Sequence, residues 1–138
     1  MSDLRVHKTK YINETKRVSF KYDGKNYFGY EGDTLASALL ANGVHLIGRS
    51  FKYHRPRGIM SCGSEEPNAI CQISDKNDLT EPNVRATELE IYDGLEAFSQ
   101  NCWPNVKFDI GGINNLISPL IPAGFYYKTF MWPKSFWK

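Results

Sequence analysis

Cysteine is scarce in this chain: there are three in 138 residues, at positions 62, 71 and 102. So odd and sparse a set excludes a disulfide scaffold and fits a reducing compartment, so a cytoplasmic location is expected. Long apolar runs are absent, and nothing approaches the roughly 20 residues a membrane-spanning helix needs. The first sixteen residues are polar and lack the apolar core of an export signal, which leaves the Asn13-Glu-Thr15 glycosylation sequon a chance match. Excess charge is lacking too. Seventeen Lys and Arg against fifteen Asp and Glu leave a net +2, and no extended basic stripe exists, so a nucleic-acid partner is not expected. The three histidines (His7, His45, His54) stand at no zinc-ligand spacing and have no Cys-x2-Cys companion. There is no Gly-x-Ser-x-Gly elbow and no G-x-G-x-x-G fingerprint. Gly111-Gly112 lacks both that spacing and a Walker lysine. No catalytic residue stands out, and no internal repeat or low-complexity segment is visible. What the chain does have is 41% hydrophobic and 14% aromatic residues, enough to build the core of one domain.

Local patterns divide that material into a compact middle and two appendages. Residues 1–16 read as a polar tail. Arg17–Tyr22 places Val18, Phe20 and Tyr22 on one face, the period of a half-buried strand. Asp23-Gly24 is a hairpin signal, and Asn26–Tyr30 is the expected returning strand. Asp33 reads as the N-cap of a helix running to about Asn42, with Leu35, Ala38 and Leu39 as its buried stripe and Gly43 at the C′ position. Val44–Ile47 is expected to be a short strand and Asn68–Ile73 a further one, with Ala69, Cys71 and Ile73 on one face. Asp75–Asp78 turns, and Arg85–Tyr92 alternates Thr87, Leu89 and Ile91 into a last strand. These elements define the α+β class.

The densest chemistry lies in Arg49–Asn68. Arg49, Lys52, His54, Arg55 and Arg57 fall within nine positions, followed by Glu65 and Glu66. Pro56, Gly58, Gly63 and Pro67 forbid a continuous helix or central strand, so the segment is a shaped loop. Arginine forks fixed by such a loop suit phosphate or carboxylate groups. Lys52, His54, Arg55 and Arg57 are therefore the candidate cofactor-binding residues, and the two glutamates are the expected ion-pair partners of Arg55 or Arg57. The alternative is an ordinary solvated charge run.

This stretch resembles a signature near the start of the alpha subunits of heterotetrameric sarcosine oxidases. The resemblance continues through Gly32-Asp-Thr-Leu-Ala-Ser-Ala-Leu-Leu-Ala-Asn-Gly43, Glu81-Pro-Asn-Val-Arg-Ala-Thr87 and Pro122-Ala-Gly-Phe-Tyr-Tyr-Lys-Thr-Phe-Met-Trp-Pro133, in order over residues 17 to 133. It implies a β-grasp ferredoxin-like domain over residues 17–100. Residues 101–138 would be an irregular, aromatic-rich extension leading to a dinucleotide-binding domain beyond this chain. It further implies an accessory domain, not catalytic alone, in a flavin-dependent oxidoreductase of N-methyl amino acids. The rest of that alpha subunit and the beta, gamma and delta subunits would be its partners, and the complex would carry NAD, FMN and FAD. Seven of the fourteen residues of Phe125–Lys138 are aromatic, a composition suited to a docking surface.

Some relatives of such a domain carry a plant-type [2Fe–2S] cluster, ligated through C-x4-C-x2-C and a distant fourth cysteine. Started at Cys62, that spacing lands on Pro67 and Ile70, while Cys71 is one place out of register. Three cysteines cannot supply four thiolates, so neither a cluster nor any other metal is expected. Cys71 and Cys102 read as small packing residues. A [2Fe–2S] electron carrier, or an interaction domain of a related opine, proline or glycine dehydrogenase complex, is the alternative.

Overall fold

Val18, Phe20 and Tyr22 form the buried face of strand β1 (Asn13–Tyr22) in the computed structural model, which describes residues 4–5, 10–74 and 79–120. Asp23 and Gly24 both take positive φ, 48° and 72°, the geometry of a tight hairpin turn that hands the chain to β2 (Lys25–Glu31). Helix α1 (Leu35–Ala41) follows, then the short pair β3 (Gly48–Arg49) and β4 (Pro56–Arg57), and then β5 (Ile70–Ser74), β6 (Thr80–Arg85) and β7 (Leu95–Ser99). A single turn of helix, α2 (Ile113–Leu116), sits between 3-10 turns at Ile110–Gly112 and Ser118–Leu120.

Five strands make one mixed sheet in the order β2-β1-β7-β5-β6. The last strand, β7, returns parallel to β1, with Phe20 opposite Leu95, and the other neighbours run antiparallel. This is the β-grasp arrangement of the expected α+β class. Helix α1 lies over the sheet, and Leu35, Ala38 and Leu39, all fully buried, meet Phe20, Ile47, Cys71, Leu95 and Ala97. Fully burying a leucine stabilises by about 1.5–3 kcal/mol, so this one short helix contributes much of the core.

The ends of α1 are chemically specified. Thr34 is the N-cap, its side chain accepting from the Ser37 amide, one residue later than the expected Asp33. At the other end Gly43 donates to the Leu40 carbonyl and Val44 to that of Leu39. Gly43 has φ of +75°, so the two bonds close a Schellman motif. Asp33 has a different task. Its fully buried carboxylate takes both terminal nitrogens of Arg5, the Tyr30 amide at 2.9 Å and the Ser37 hydroxyl at 2.8 Å. Arg5 and the Leu4 amide, which donates to the Ala41 carbonyl at 3.0 Å, hold the described N-terminal residues against the helix.

Three expected strands are corrected. β1 starts at Asn13 rather than Arg17, because polar Asn13 and Lys16 bond to Glu31 at the far end of β2, an edge that hydrophobic periodicity does not register. Val44–Ile47 is not a strand; pairing begins at Gly48. Arg85–Tyr92 turns after Arg85, and the sheet is completed instead by β6 and β7. Pro82 and Asn83 disguised β6. They are tolerated because β6 is the sheet edge and carries a bulge opposite Gln72, where Asn83 adopts φ of +62°. The turn at Asp75–Asp78 and the aromatic run Phe125–Lys138 lie outside the described residues.

Candidate functional site

Two structures are built from Arg49–Asn68, and they do different things. The first is the β3–β4 ribbon with its excursion over residues 50–55. Gly48 pairs with Arg57 and Arg49 with Pro56, and the Ser50 amide donates to the Arg55 carbonyl at 2.9 Å. 

The Ser50 hydroxyl takes the Arg55 amide at 3.0 Å, and the Ser50 carbonyl takes the His54 amide at 2.9 Å. His54 adopts φ of +52°, a left-handed conformation that turns its ring toward the segment after β7.

That segment, residues 101–116, receives most of the basic groups. The Arg49 guanidinium donates to the carbonyls of Val106 (2.9 Å), His54 (3.0 Å) and Lys107 (3.3 Å). His54 Nδ1 lies 2.7 Å from Asp109 Oδ2, with its ring packed against Gly111, where a Cβ would collide at 2.3 Å. Burial pushes the Asp109 carboxyl up, but the Trp103 amide, His54 and the Gly111 amide outweigh it, and the group sits below the usual aspartate range. Arg55 Nε donates to Asn115 Oδ1 at 3.0 Å, and Asn114 donates to the Lys52 carbonyl at 3.3 Å. Arg55 and Lys52 also stack over the Tyr53 ring. Of the four candidate residues, His54 and Arg55 are thus engaged with the extension through their side chains. Arg57 points the other way. It is exposed and donates to Asn68 Oδ1 at 2.5 Å, beside a shallow hollow of about 200 Å³ whose lining includes Arg49, Asn83, Gln100 and Asn101 and no carboxylate. Asp109, Asn114 and Asn115 were not legible as partners, since some fifty to sixty residues separate them from the basic loop.

The second structure is the turn over residues 58–69, organised by Glu66. The expected pairing of Glu65 or Glu66 with Arg55 or Arg57 does not occur. Glu65 is exposed and accepts from the Gly63 amide, and Glu66 points inward at 1% exposure. Its Oε2 accepts from the amides of Met60 (2.7 Å) and Ser61 (2.5 Å) and from the Ser61 hydroxyl (3.3 Å). Its Oε1 accepts from the amides of Asn68 (2.8 Å) and Ala69 (3.1 Å). Burial raises the carboxyl's pKa, but the four backbone donors prevail and hold it down at about 2. A carboxylate satisfied by neutral amides needs no cation, which is why the nearby arginines turn elsewhere.

An α+β domain of the β-grasp, ferredoxin-like kind, with a shaped loop between β4 and β5, is the class these features define. The chain belongs to the 2Fe-2S iron-sulfur cluster binding domain family, whose profile matches residues 15–102. It is 56% identical over all 138 residues to the sarcosine oxidase subunit alpha of Rhizobium meliloti, of which it spans 14%. It is 41% identical over 88 residues, 62% of this chain and 9% of the relative, to the sarcosine oxidase subunit alpha of Corynebacterium sp. strain U-96. Among solved structures, the L-proline dehydrogenase of P. horikoshii superposes with a TM-score of 0.51 at 24% identity, covering 65% of this chain and 16% of that one, a likeness of fold.

The family's name implies a cluster, and the residues present do not fit one. Cys62 is exposed on the Glu66 turn. Cys71 is fully buried on β5 with its Sγ 3.4 Å from the Val84 carbonyl, and Cys102 follows β7 with its Sγ 3.2 Å from Ser99 Oγ. Burial pushes the Cys71 thiol up to about 12, opposite to the thiolate a metal requires. Among the described residues no three metal-ligating side chains come together. None of the described helices is long and apolar enough to cross a membrane.

Proposed function

We propose that this chain is the N-terminal accessory domain of the alpha subunit of a heterotetrameric sarcosine oxidase, an oxidoreductase of N-methyl amino acids, and that it is not catalytic alone. The observation that carries this is the 56% identity across the whole chain to a sarcosine oxidase alpha subunit. NAD, FMN and FAD belong to the assembly rather than to these residues, whose sequence offers no dinucleotide fingerprint. The cytoplasm is its compartment. The [2Fe–2S] carrier has the family's name in its favour, and the cysteine chemistry above speaks against it.

The rest of the subunit is the occupant we assign to the exposed apolar side chains Trp103, Phe108, Ile110, Ile113, Leu116 and Ile117, each at least 43% exposed. A relative about seven times longer supplies a partner of the required kind, and aromatic and aliphatic side chains of this sort suit a docking surface. In this arrangement residues 101–138 lead from the 17–100 domain toward the dinucleotide-binding domain.

A tag placed on this chain in its native cells tests the assignment. The recovered assembly is expected to take up oxygen on addition of sarcosine, whereas the 138-residue chain alone does not exceed a buffer control. Recovery of an assembly inert toward sarcosine overturns the substrate.

Among the four basic candidates, Arg57 is the side chain we assign to an anionic cofactor group, with Lys52, His54 and Arg55 shaping the loop beside it. Arg57→Ala is expected to leave the domain folded and to weaken cofactor retention in the assembly by about 1–3 kcal/mol, the loss of a charge-assisted donor. Unchanged cofactor content makes the loop an ordinary solvated surface.

A further inference from the structure

The turn over residues 58–69 is built like an anion-binding loop and already contains its anion. Successive backbone amides that converge on one point form nests, the concavities by which proteins hold phosphates and iron–sulfur clusters. Here two such pairs, Met60 with Ser61 and Asn68 with Ala69, converge on the two oxygens of Glu66, one pair to each. The C-x4-C-x2-C spacing begun at Cys62 would span residues 62–70, and Glu66 lies inside that window.

We infer that the Glu66 carboxylate is a built-in anion that replaces an iron–sulfur cluster as the organiser of this loop, so that the domain is a redox-silent scaffold ordered without metal. Three observations agree. Each carboxylate oxygen accepts two amides, so the nests have no capacity left for a second anion. The loop is anchored without thiolates: the Thr87 hydroxyl donates to the Gly63 carbonyl at 2.9 Å, and within the loop the Glu66 amide donates to the same carbonyl at 3.2 Å. A negative charge at 1% exposure, held by neutral donors, is retained only where it is fully hydrogen-bonded, and here it is.

This inference goes beyond the assignment to sarcosine oxidation and does not depend on it, because it is tested on the 138-residue chain. Amide resonances of Met60, Ser61, Asn68 and Ala69 are expected to move together in an acid titration of the wild-type chain, with one common midpoint. Independent midpoints, or a common midpoint in the ordinary glutamate range, overturn the inference. In Glu66→Gln, one oxygen becomes an NH₂ group facing one of the two amide pairs, so exchange of that pair is expected to speed up by about 10-fold or more while β1 and β7 amides stay protected. Equal protection in wild type and variant overturns it. If Glu66→Gln does not fold, the wild-type titration decides alone. Anaerobic incubation of the wild-type chain with ferrous iron and sulfide is expected to give no visible charge-transfer band. A band accompanied by stoichiometric protein-bound iron that survives desalting contradicts the inference.

Discussion

An Asp33→Ala chain is expected to lose about 3–5 kcal/mol of folding stability, the cost of removing one partner from a buried, hydrogen-bonded ion pair. The carboxylate is 0% exposed and the Arg5 side chain 17%. Its deletion leaves the guanidinium in a site shaped for an anion and strips the Tyr30 amide and the Ser37 hydroxyl of an acceptor. Domains of this size are stable by about 5–15 kcal/mol in all, so the loss is a large share of the total. Asp33→Asn keeps the volume and one acceptor and is expected to fall between wild type and Ala. Urea unfolding with an unchanged m-value is the check, since a changed slope would mean that the compactness of one state has altered. A loss under about 0.5 kcal/mol would place Asp33 with ordinary surface positions.

Asp33 also shows where sequence reasoning stops. As the residue before an apolar stripe it reads as an N-cap, and Thr34, one position later, takes that role. Capping needs only a short polar side chain, and two stand side by side. What separates them is Arg5, twenty-eight residues away, which nothing local reveals. The same limit governs Glu66. Two acids close behind three arginines read as ion-pair partners, yet a carboxylate flanked by Gly63 and Pro67 has backbone donors nearer than any guanidinium. The hairpin at Asp23-Gly24, the face Val18–Phe20–Tyr22 and the stripe Leu35–Ala38–Leu39 were legible because periodicity and turn chemistry are local. The edge strand β6 was hidden by its own proline, and β7 followed a stretch whose alternation mimicked a strand. The basic loop was legible as shaped and charged, but its engagement with residues 101–116 depends on contacts across more than fifty positions.

Acid is expected to unfold this domain chiefly by removing the bonds at Glu66. The folded carboxyl is held at about 2 against an ordinary 4.5, so the unfolded chain binds the proton first as pH falls. The stabilisation is therefore complete above pH 4.5, declines below it, and is gone once pH passes below about 2. The difference of about 2.5 units corresponds to about 3 kcal/mol at 1.36 kcal/mol per unit, of which about 2 is lost by pH 3. Asp109, also held low, adds to the decline below 3.8 in the same direction. Unfolding free energies of wild type and Glu66→Gln measured between pH 7 and pH 3 check this. The variant is expected to start lower and to lose about 2 kcal/mol less over that range. Added salt is expected to change this little, because the donors are neutral amides in direct contact with a buried group, unlike the exposed Lys16–Glu31 pair, which salt screens. Parallel pH profiles for wild type and variant would mean that Glu66 does not carry its charge into the folded state, and the turn over residues 58–69 would then need another organiser.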